Sequence, residues 1–243
     1  MFDLPLQQAA TATDSGDLPE IDMNTFLASS AHDMKNSIAV MAAYLESALA
    51  EMPADATSRR MTYQALYEAQ RLNQHLIQLL ALYKINHDMY PFDPVEVELA
   101  AFEQEVIARV QPLAKAKGIT LELMSDPVER SWYFDYELIV SLVTQSLHNA
   151  VKYTHDRVRL SALVIDNQLE IRIADNGAGF PPFMLAQGFP AAQGIKARTG
   201  STGLGLYFAS KVARLHRNRT RQGSTRLANG GVLGGGTFIL TLP

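Results

Sequence analysis

From Leu27 to Met52 the apolar residues advance by alternating steps of four and three: Leu27, Ala31, Met34, Ile38, Met41, Leu45, Ala48 and Met52. That is a heptad stripe, and a chain that keeps one for this long is expected to lie as a helix with the stripe against other helices. A second stripe follows at Leu66, Ala69, Asn73, Leu76, Leu80 and Tyr83. Between them "MPADATS", with Pro53 and Asp55, reads as a turn. Two long amphipathic helices on a short loop form an antiparallel hairpin. A hairpin alone buries little apolar surface, so a second copy is expected to complete a dimeric four-helix bundle.

His32 lies inside the first helix but off its stripe, in "SSAHDMKNSIAV". Asp33 is beside it, and Asn36 is one turn further along the same face. A lone histidine on a helix surface is ordinarily just solvated. His75, His87, His148, His155 and His216 are read that way, or as locally satisfied.

The 243 residues carry a net charge of −4 and are 47% hydrophobic, a globular composition with no large footprint for nucleic acid or a membrane surface. There is no cysteine, which excludes disulfide and thiolate chemistry and suits a reducing cytoplasm. No apolar run reaches the roughly 20 residues that span a bilayer. The opening "MFDLPLQQAATATDSGDLPE" has neither the basic start nor the apolar stretch of a signal peptide. A cytoplasmic protein is expected, without membrane insertion, taking its input from the short tail or from a separate sensor protein.

The expected fold class is α+β. Residues 1–18, polar and broken by proline and glycine, read as a loose tail, and residues 19–90 as the helical region. Residues 91–243, entered through "NHDMYPFDP", read as a two-layer α/β sandwich. In that half "PVEVEL", "GITLELM" and "SWYF" read as strands, Ala100–Lys117 as a helix, and Asp135 as the cap of a helix to about Thr154. "RVRLSALVID" and "QLEIRIAD" pair across an Asp166–Asn167 turn. A helix over Leu204–His216 and the closing strand "GGTFILTLP" complete the domain. "RLHRNRTRQGSTRLANGG" is locally basic, either a solvated edge or a surface for an acidic partner.

Three segments of this half carry chemistry. In "SLHNAVKYT", Asn149 and Lys152 share a helix face and Tyr153 is next to them. A neutral amide oxygen suits Mg²⁺, lysine supplies a point charge for phosphate, and tyrosine a flat face with a hydroxyl. Taken alone, the segment reads equally well as an amphipathic helix with a wet side. In "IADNGAGF", a strand ends at Asp175, and Gly177 and Gly179 permit backbone geometry closed to other residues. A carboxylate there can accept from an exocyclic amine such as adenine's, although D-N-G is also good turn chemistry. In "TGSTGLGLYFAS", Gly200, Gly203 and Gly205 sit at a helix start, where backbone N–H groups can approach phosphates. No Gly-Lys-Ser/Thr follows, so it is not a Walker loop.

In this order, within about sixty residues, the segments resemble the N, G1 and G2 boxes of the ATP-binding domain of sensor histidine kinases. That is the GHKL or Bergerat fold, shared with gyrase and MutL. The resemblance implies an ATP site formed by Asn149, Lys152, Tyr153, Asp175, Gly177, Gly179, Gly203 and Gly205, with Asn149 as the protein ligand to Mg²⁺. It also implies Thr237, in "GGGTFILTLP", near the adenine. "AHDMKNSI" resembles the kinase H box, H-E-x-x-T/N-P, so the resemblance runs from about residue 20 to residue 243. It implies that His32 takes a phosphoryl group from Mg-ATP, with Asp33 fixing the ring tautomer. Asn36 would orient water for dephosphorylating the partner. The implied partner is a response-regulator receiver domain, which accepts the group on an aspartate, and the implied assembly is a homodimer.

The sequence departs from the family pattern in places. Ser37 stands where the H box usually has proline, and Gln145 where the N box often has asparagine. The expected ATP lid, "PPFMLAQGFPAAQGIKARTG", is short, and Phe183 and Phe189 are both candidates for its aromatic anchor. Two other readings compete. One is a histidine phosphotransferase or scaffold with a non-catalytic ATP-like domain, which would favour eroded boxes. The other is a GHKL conformational ATPase, which would not need His32.

Overall fold

The computed structural model describes residues 23–53, 57–124, 131–186 and 204–243, with the backbone alone for residues 23–29. The tail over 1–18, the helix start near Glu20, Gly200, Gly203, Phe189 and most of the expected lid lie outside the described residues.

Helices α1 (Met23–Glu51) and α2 (Thr57–Asn86) form the predicted hairpin. The last turn of a helix leaves carbonyls without helical partners. Arg59 fills that role for α1, donating to the carbonyls of Leu49 at 2.9 Å and Met52 at 2.5 Å. Along the hairpin, Gln70 Nε2 donates to Glu46 Oε1 at 3.1 Å. Only part of the heptad seam is covered within one chain. On the two stripes Leu66 and Ala69 are buried whereas Met34 and Met41 are exposed, and off them Leu49 is buried while Tyr44, Met61, Leu72 and Leu79 are exposed.

The C-terminal turns of α2 belong to a second core. Leu82 is buried there, and Gln74 Nε2 donates to Ser141 Oγ at 2.7 Å. After the prolines, β1 (Pro94–Glu98) pairs antiparallel with β3 (Ser131–Asp135), with α3 (Leu99–Ala116) and β2 (Thr120–Leu123) between them in the chain. Then come α4 (Tyr136–Tyr153), β4 (Arg157–Ile165), β5 (Gln168–Asp175), α5 (Pro182–Ala186) and α6 (Leu204–Leu215). The chain ends with β6 (Arg217–Asn218), β7 (Arg221–Gln222), β8 (Ser224–Asn229) and β9 (Gly236–Leu242).

The main sheet runs β2-β4-β5-β9-β8, with β2 parallel to β4 and the remaining pairs antiparallel. Alternation sends Val158, Leu160, Leu169, Ile171, Ile173, Phe238, Leu240 and Leu242 to one face. There they join one core with Phe102 and Val106 of α3, Ile139 and Leu147 of α4, and Phe208 and Val212 of α6. The other face carries ion pairs, Arg159 to Glu122 at 2.7 Å and Arg172 to Glu170 at 2.5 Å. This is the two-layer sandwich read from the sequence. Asp166 and Asn167 both have positive φ, 52° and 56°, as a two-residue type I′ hairpin requires. Arg221 donates to both of their carbonyls, at 2.6 and 2.9 Å.

Strands β6, β7 and β8 occupy the stretch read only as basic. Two-residue strands have no alternation to detect, and β8 is an edge strand with a largely polar sequence. No helix among the described residues is long and apolar enough to cross a membrane.

Candidate functional site

Helix α4 starts where Asp135 Oδ1 accepts the main-chain N–H of Leu138, at 3.1 Å. Its apolar face, including Leu138, Leu142, Leu147 and Val151, is locked in the core. That burial leaves Asn149, Lys152 and Tyr153 exposed at the helix end. Lys152 Nζ stands 5.1 Å from the centre of the Tyr153 ring. The first turn of α6 comes up to this face: a Cβ on Gly205 would lie 4.0 Å from both Asn149 Nδ2 and Gln145 Cγ. The structure therefore brings the N-box helix against the described end of the G2 segment. Burial holds the His148 imidazole below its usual pKa.

Strand β5 delivers Asp175 with its side chain 8% exposed. Its Oδ1 accepts from Gly177 N–H at 2.7 Å and Gly236 N–H at 3.2 Å. Its Oδ2 takes no hydrogen bond among the described residues. One oxygen is thus fixed by the backbone and the other is left to accept from a ligand. Gly177 lies so close to the end of α4 that a Cβ there would sit 2.1 Å from the Tyr153 carbonyl oxygen. Gly179 has φ +78°, and a Cβ there would meet Asn229 Oδ1 at 2.8 Å.

Thr237 is not brought to this carboxylate. It pairs with Ala174 and Ala228, and its neighbours in the strand alternation are Ile239 and Thr241, not the core-facing Phe238 and Leu240. It therefore stands on the opposite face of the sheet from Asp175. The position beside the carboxylate belongs to Gly236, where a Cβ would lie 2.9 Å from Asp175 Oδ2. A glycine is needed there because the Phe180 ring is also only 3.0 Å from that point. The physical reason for the difference is register: one residue along a strand reverses the face.

Several contributing residues were not singled out from the sequence. Asn229 holds the backbone of Phe180 at both ends, accepting its N–H at 2.8 Å and donating to its carbonyl at 2.9 Å. Asn176 accepts from the Thr154 hydroxyl and from the N–H groups of Asp156 and Arg157, which ties the D-N-G turn to the end of α4. A Cβ on Gly235 would lie 2.5 Å from the Asp175 carbonyl oxygen. The glycine density of "NGGVLGGG" was the available signal.

The described residues contain no cluster of three acidic, histidine or cysteine side chains that could cage a metal. A single exposed amide at Asn149 instead fits Mg²⁺ that arrives bound by phosphates and keeps its waters.

In the hairpin, His32 and Asp33 project into solvent, 62% and 78% exposed. The Nδ1 of His32 is 3.3 Å from Asn36 Nδ2 and 3.7 Å from Asp33 Oδ1. Both flanking residues therefore address the same ring nitrogen, and Nε2 has no partner among the described residues.

Both regions of the chain resemble known proteins. The family model for the His Kinase A (phospho-acceptor) domain matches residues 22–88. The family model described as Histidine kinase-, DNA gyrase B-, and HSP90-like ATPase matches residues 134–243. The sensor-like histidine kinase SenX3 of Mycobacterium tuberculosis is 28% identical over 225 residues, covering 90% of this chain and 53% of its own. The phosphate regulon sensor protein PhoR of Pseudomonas aeruginosa is 29% identical over 202 residues, covering 80% and 45%. The chain thus spans about half the length of these curated relatives. Among solved structures, full-length ShkA in complex with AMPPNP has a TM-score of 0.64 at 22% identity, covering 90% of this chain and 46% of that one. Histidine kinase AdeS of Acinetobacter baumannii has a TM-score of 0.56 at 16% identity, covering 85% and 95%. These structural likenesses are likenesses of fold.

Proposed function

The chain belongs to the histidine kinases, as a phospho-acceptor domain followed by an ATPase domain, and on that footing we propose that it phosphorylates its own His32 from Mg-ATP. The phosphoryl group then passes to an aspartate on a separate response-regulator receiver domain. The observation that carries the reading is the Asp175 carboxylate, with Oδ1 held by two backbone N–H groups and Oδ2 without a partner among the described residues. That is an acceptor waiting for an exocyclic amine. Asn149 would hold Mg²⁺ through its amide oxygen, the ion would neutralise phosphate charge, and Lys152 would supply a further positive charge. Gly205 opens α6 close to Asn149, and with Gly203 it is assigned to the phosphates.

The chemistry at His32 uses the neutral ring. The Nε2 lone pair attacks the γ-phosphorus, the bond to the β-bridging oxygen breaks, and ADP leaves with the electron pair. The Nδ1 proton turns toward Asp33, which stabilises the positive ring. An aspartate of the receiver domain then displaces the histidine, and Asn36 serves to orient water when the partner is dephosphorylated. The exposed apolar side chains of the hairpin favour a homodimer through a four-helix bundle. The cytoplasm, where ATP is supplied, is the proposed location.

Incubation with γ-labelled ATP and Mg²⁺ tests the reading. Acid-labile, base-stable label on the wild type, lost in both His32→Ala and Asn149→Ala, is expected. Uptake of label only from a phosphorylated receiver domain would favour the phosphotransferase. ATP hydrolysis unaffected by His32→Ala would favour the conformational ATPase.

A further inference from the structure

His216 follows the last residue of α6 and is 3% exposed. Its Nδ1 lies 2.9 Å from the Val212 carbonyl oxygen, and its Nε2 accepts the main-chain N–H of Asp135 at 3.0 Å. A carbonyl only accepts and a peptide N–H only donates, so the tautomer is fixed: the proton is on Nδ1 and the lone pair on Nε2. Asp135, itself 4% exposed, takes three donors on its carboxylate. These are the N–H of Leu138 in α4, the Tyr90 hydroxyl at 3.3 Å and the N–H of Asp93 at 3.2 Å. Tyr90 and Asp93 lie in the linker between α2 and β1, and the Phe92 ring between them stands edge-on to His216 at 5.0 Å. The linker, the start of α4 and the end of α6 therefore meet at one residue pair. The other end of α6 borders the nucleotide site through Gly205.

We propose that His216 is a positioning residue for phosphoryl transfer. By accepting the Asp135 N–H it holds the Tyr90–Asp93 linker to the end of α6, and so ties the placement of the hairpin to the helix that borders the nucleotide. This inference rests on the kinase reading above. Core packing alone would need only the ring. A positioning role needs the acceptor at Nε2, because a proton there would set a donor against the Asp135 N–H and release the contact. Burial holds the imidazole below its usual 6.5, against the opposing pull of the Val212 carbonyl and the Asp135 charge. The other ionisable groups around it are Asp93 and Tyr90 in the linker, Glu137 at the start of α4, and the exposed Arg214 and Arg217 flanking it. Burial and the Asp135 charge keep the Tyr90 hydroxyl protonated throughout the physiological range.

Three variants of the full chain separate the roles. His216→Gln can keep an amide oxygen near the Nε2 position and does not titrate. His216→Asn reaches only as far as the Val212 carbonyl, and His216→Phe keeps the ring without either bond. Autophosphorylation should fall about tenfold in the Asn and Phe variants, with ATP affinity unchanged, and be largely rescued in Gln. Wild-type activity should fall more steeply on the acid side of neutrality than that of the Gln variant. The chain has no cysteine, so spin labels on Ala50→Cys and Arg226→Cys, diluted with unlabelled chain, report the hairpin-to-domain distance without requiring catalysis. That distance distribution should broaden in the Asn variant and sharpen again in Gln. Equal effects of Gln and Asn on rate, pH profile and distance, with only a lowered melting temperature, would overturn the proposal. If wild type binds ATP yet never labels His32, while the distance still responds to His216→Asn, the kinase reading falls and the linker role stands.

Discussion

Asn36 places its amide nitrogen 3.3 Å from Nδ1 of His32, one turn back on α1 and closer than the Asp33 carboxylate at 3.7 Å. An amide N–H donated to Nδ1 leaves the ring proton on Nε2, the nitrogen free to meet phosphorus. A proton shared with Asp33 puts the lone pair on Nε2 instead. The two residues therefore pull the ring toward opposite tautomers. Asp33→Ala should slow autophosphorylation by about 10². Asn36→Ala should leave it equal or faster while lowering dephosphorylation of a phosphorylated receiver domain. Initial rates with labelled ATP, and decay of the labelled receiver, measure the two effects separately.

Asp175 offers a test of nucleotide recognition. With Oδ1 committed to Gly177 and Gly236, an asparagine must either give up those N–H groups or turn its own NH₂ toward the adenine amine. Asp175→Asn should weaken ATP binding roughly 10- to 100-fold. Discrimination against GTP should shrink, because guanine offers an acceptor at the equivalent place. Gly177→Ala should abolish binding, since its Cβ has only 2.1 Å to the Tyr153 carbonyl. Calorimetric titration with both nucleotides reads each outcome.

The periodic parts of this molecule were legible in its sequence, and its close approaches were not. The hairpin helices, the β4–β5 pair and the Asp135 cap each have a local signature: heptad steps, alternation around Asp166–Asn167, and a capping carboxylate before an apolar face. Asn149, Asp175 and Gly177 were named from motif spacing, and the fold brings their segments together. The face on which Thr237 stands depends on a single-residue register in β9, which the run "GGGTF" leaves open. Asn229 and Phe180 are distant in the chain, and only the packing of β8 beside the G1 turn joins them. His216 looked like any isolated histidine until the linker folded over it.

Acid should destabilise this protein before its carboxylates titrate. His75, His148 and His216 all sit below their usual 6.5, each chiefly through burial, with the Arg71 charge adding to the effect on His75. The unfolded chain then binds more protons than the folded one in the range below 6.5. Stability from these groups is fully present above 6.5 and is lost as pH falls through their folded values. Glu105, held low first by the Tyr136 hydroxyl and then by Arg109, adds a loss only below its ordinary 4.5. Urea midpoints should drop between about pH 7.5 and 5.5. A flat profile over that range would contradict the neutral burial of these rings.

Ser37 occupies the H-box position where proline is usual, and its hydroxyl donates to the Asp33 carbonyl at 3.0 Å. That carbonyl is the one a proline at 37 would strip of its helical N–H partner. The serine thus adds a second donor where a proline would remove the first. Back-bonding of this kind slightly weakens and bends a helix. Ser37→Ala should stabilise the hairpin by about 0.5 kcal/mol. Ser37→Pro should cost about 3 kcal/mol. Thermal melts of the two variants give opposite shifts if the hydroxyl acts as described.

Gln78 on α2 is fully buried, and among the described residues neither its Oε1 nor its Nε2 has a hydrogen-bond partner. A buried amide left unpaired costs roughly 1–3 kcal/mol. An apolar side chain of similar length removes that cost without opening a cavity. Gln78→Met should therefore raise the denaturation midpoint by a corresponding amount. Its neighbour one turn earlier, Gln74, is bonded to Ser141 on α4, so this stretch of α2 lies near the contact between the hairpin and the ATP-binding domain. An amide that is unsatisfied in this arrangement becomes satisfied if α2 moves and water reaches it, so the glutamine weakens this arrangement relative to others. Gln78→Met should then slow phosphoryl transfer while it stabilises the fold. Higher stability with unchanged transfer would mean that the docked arrangement is already the reactive one.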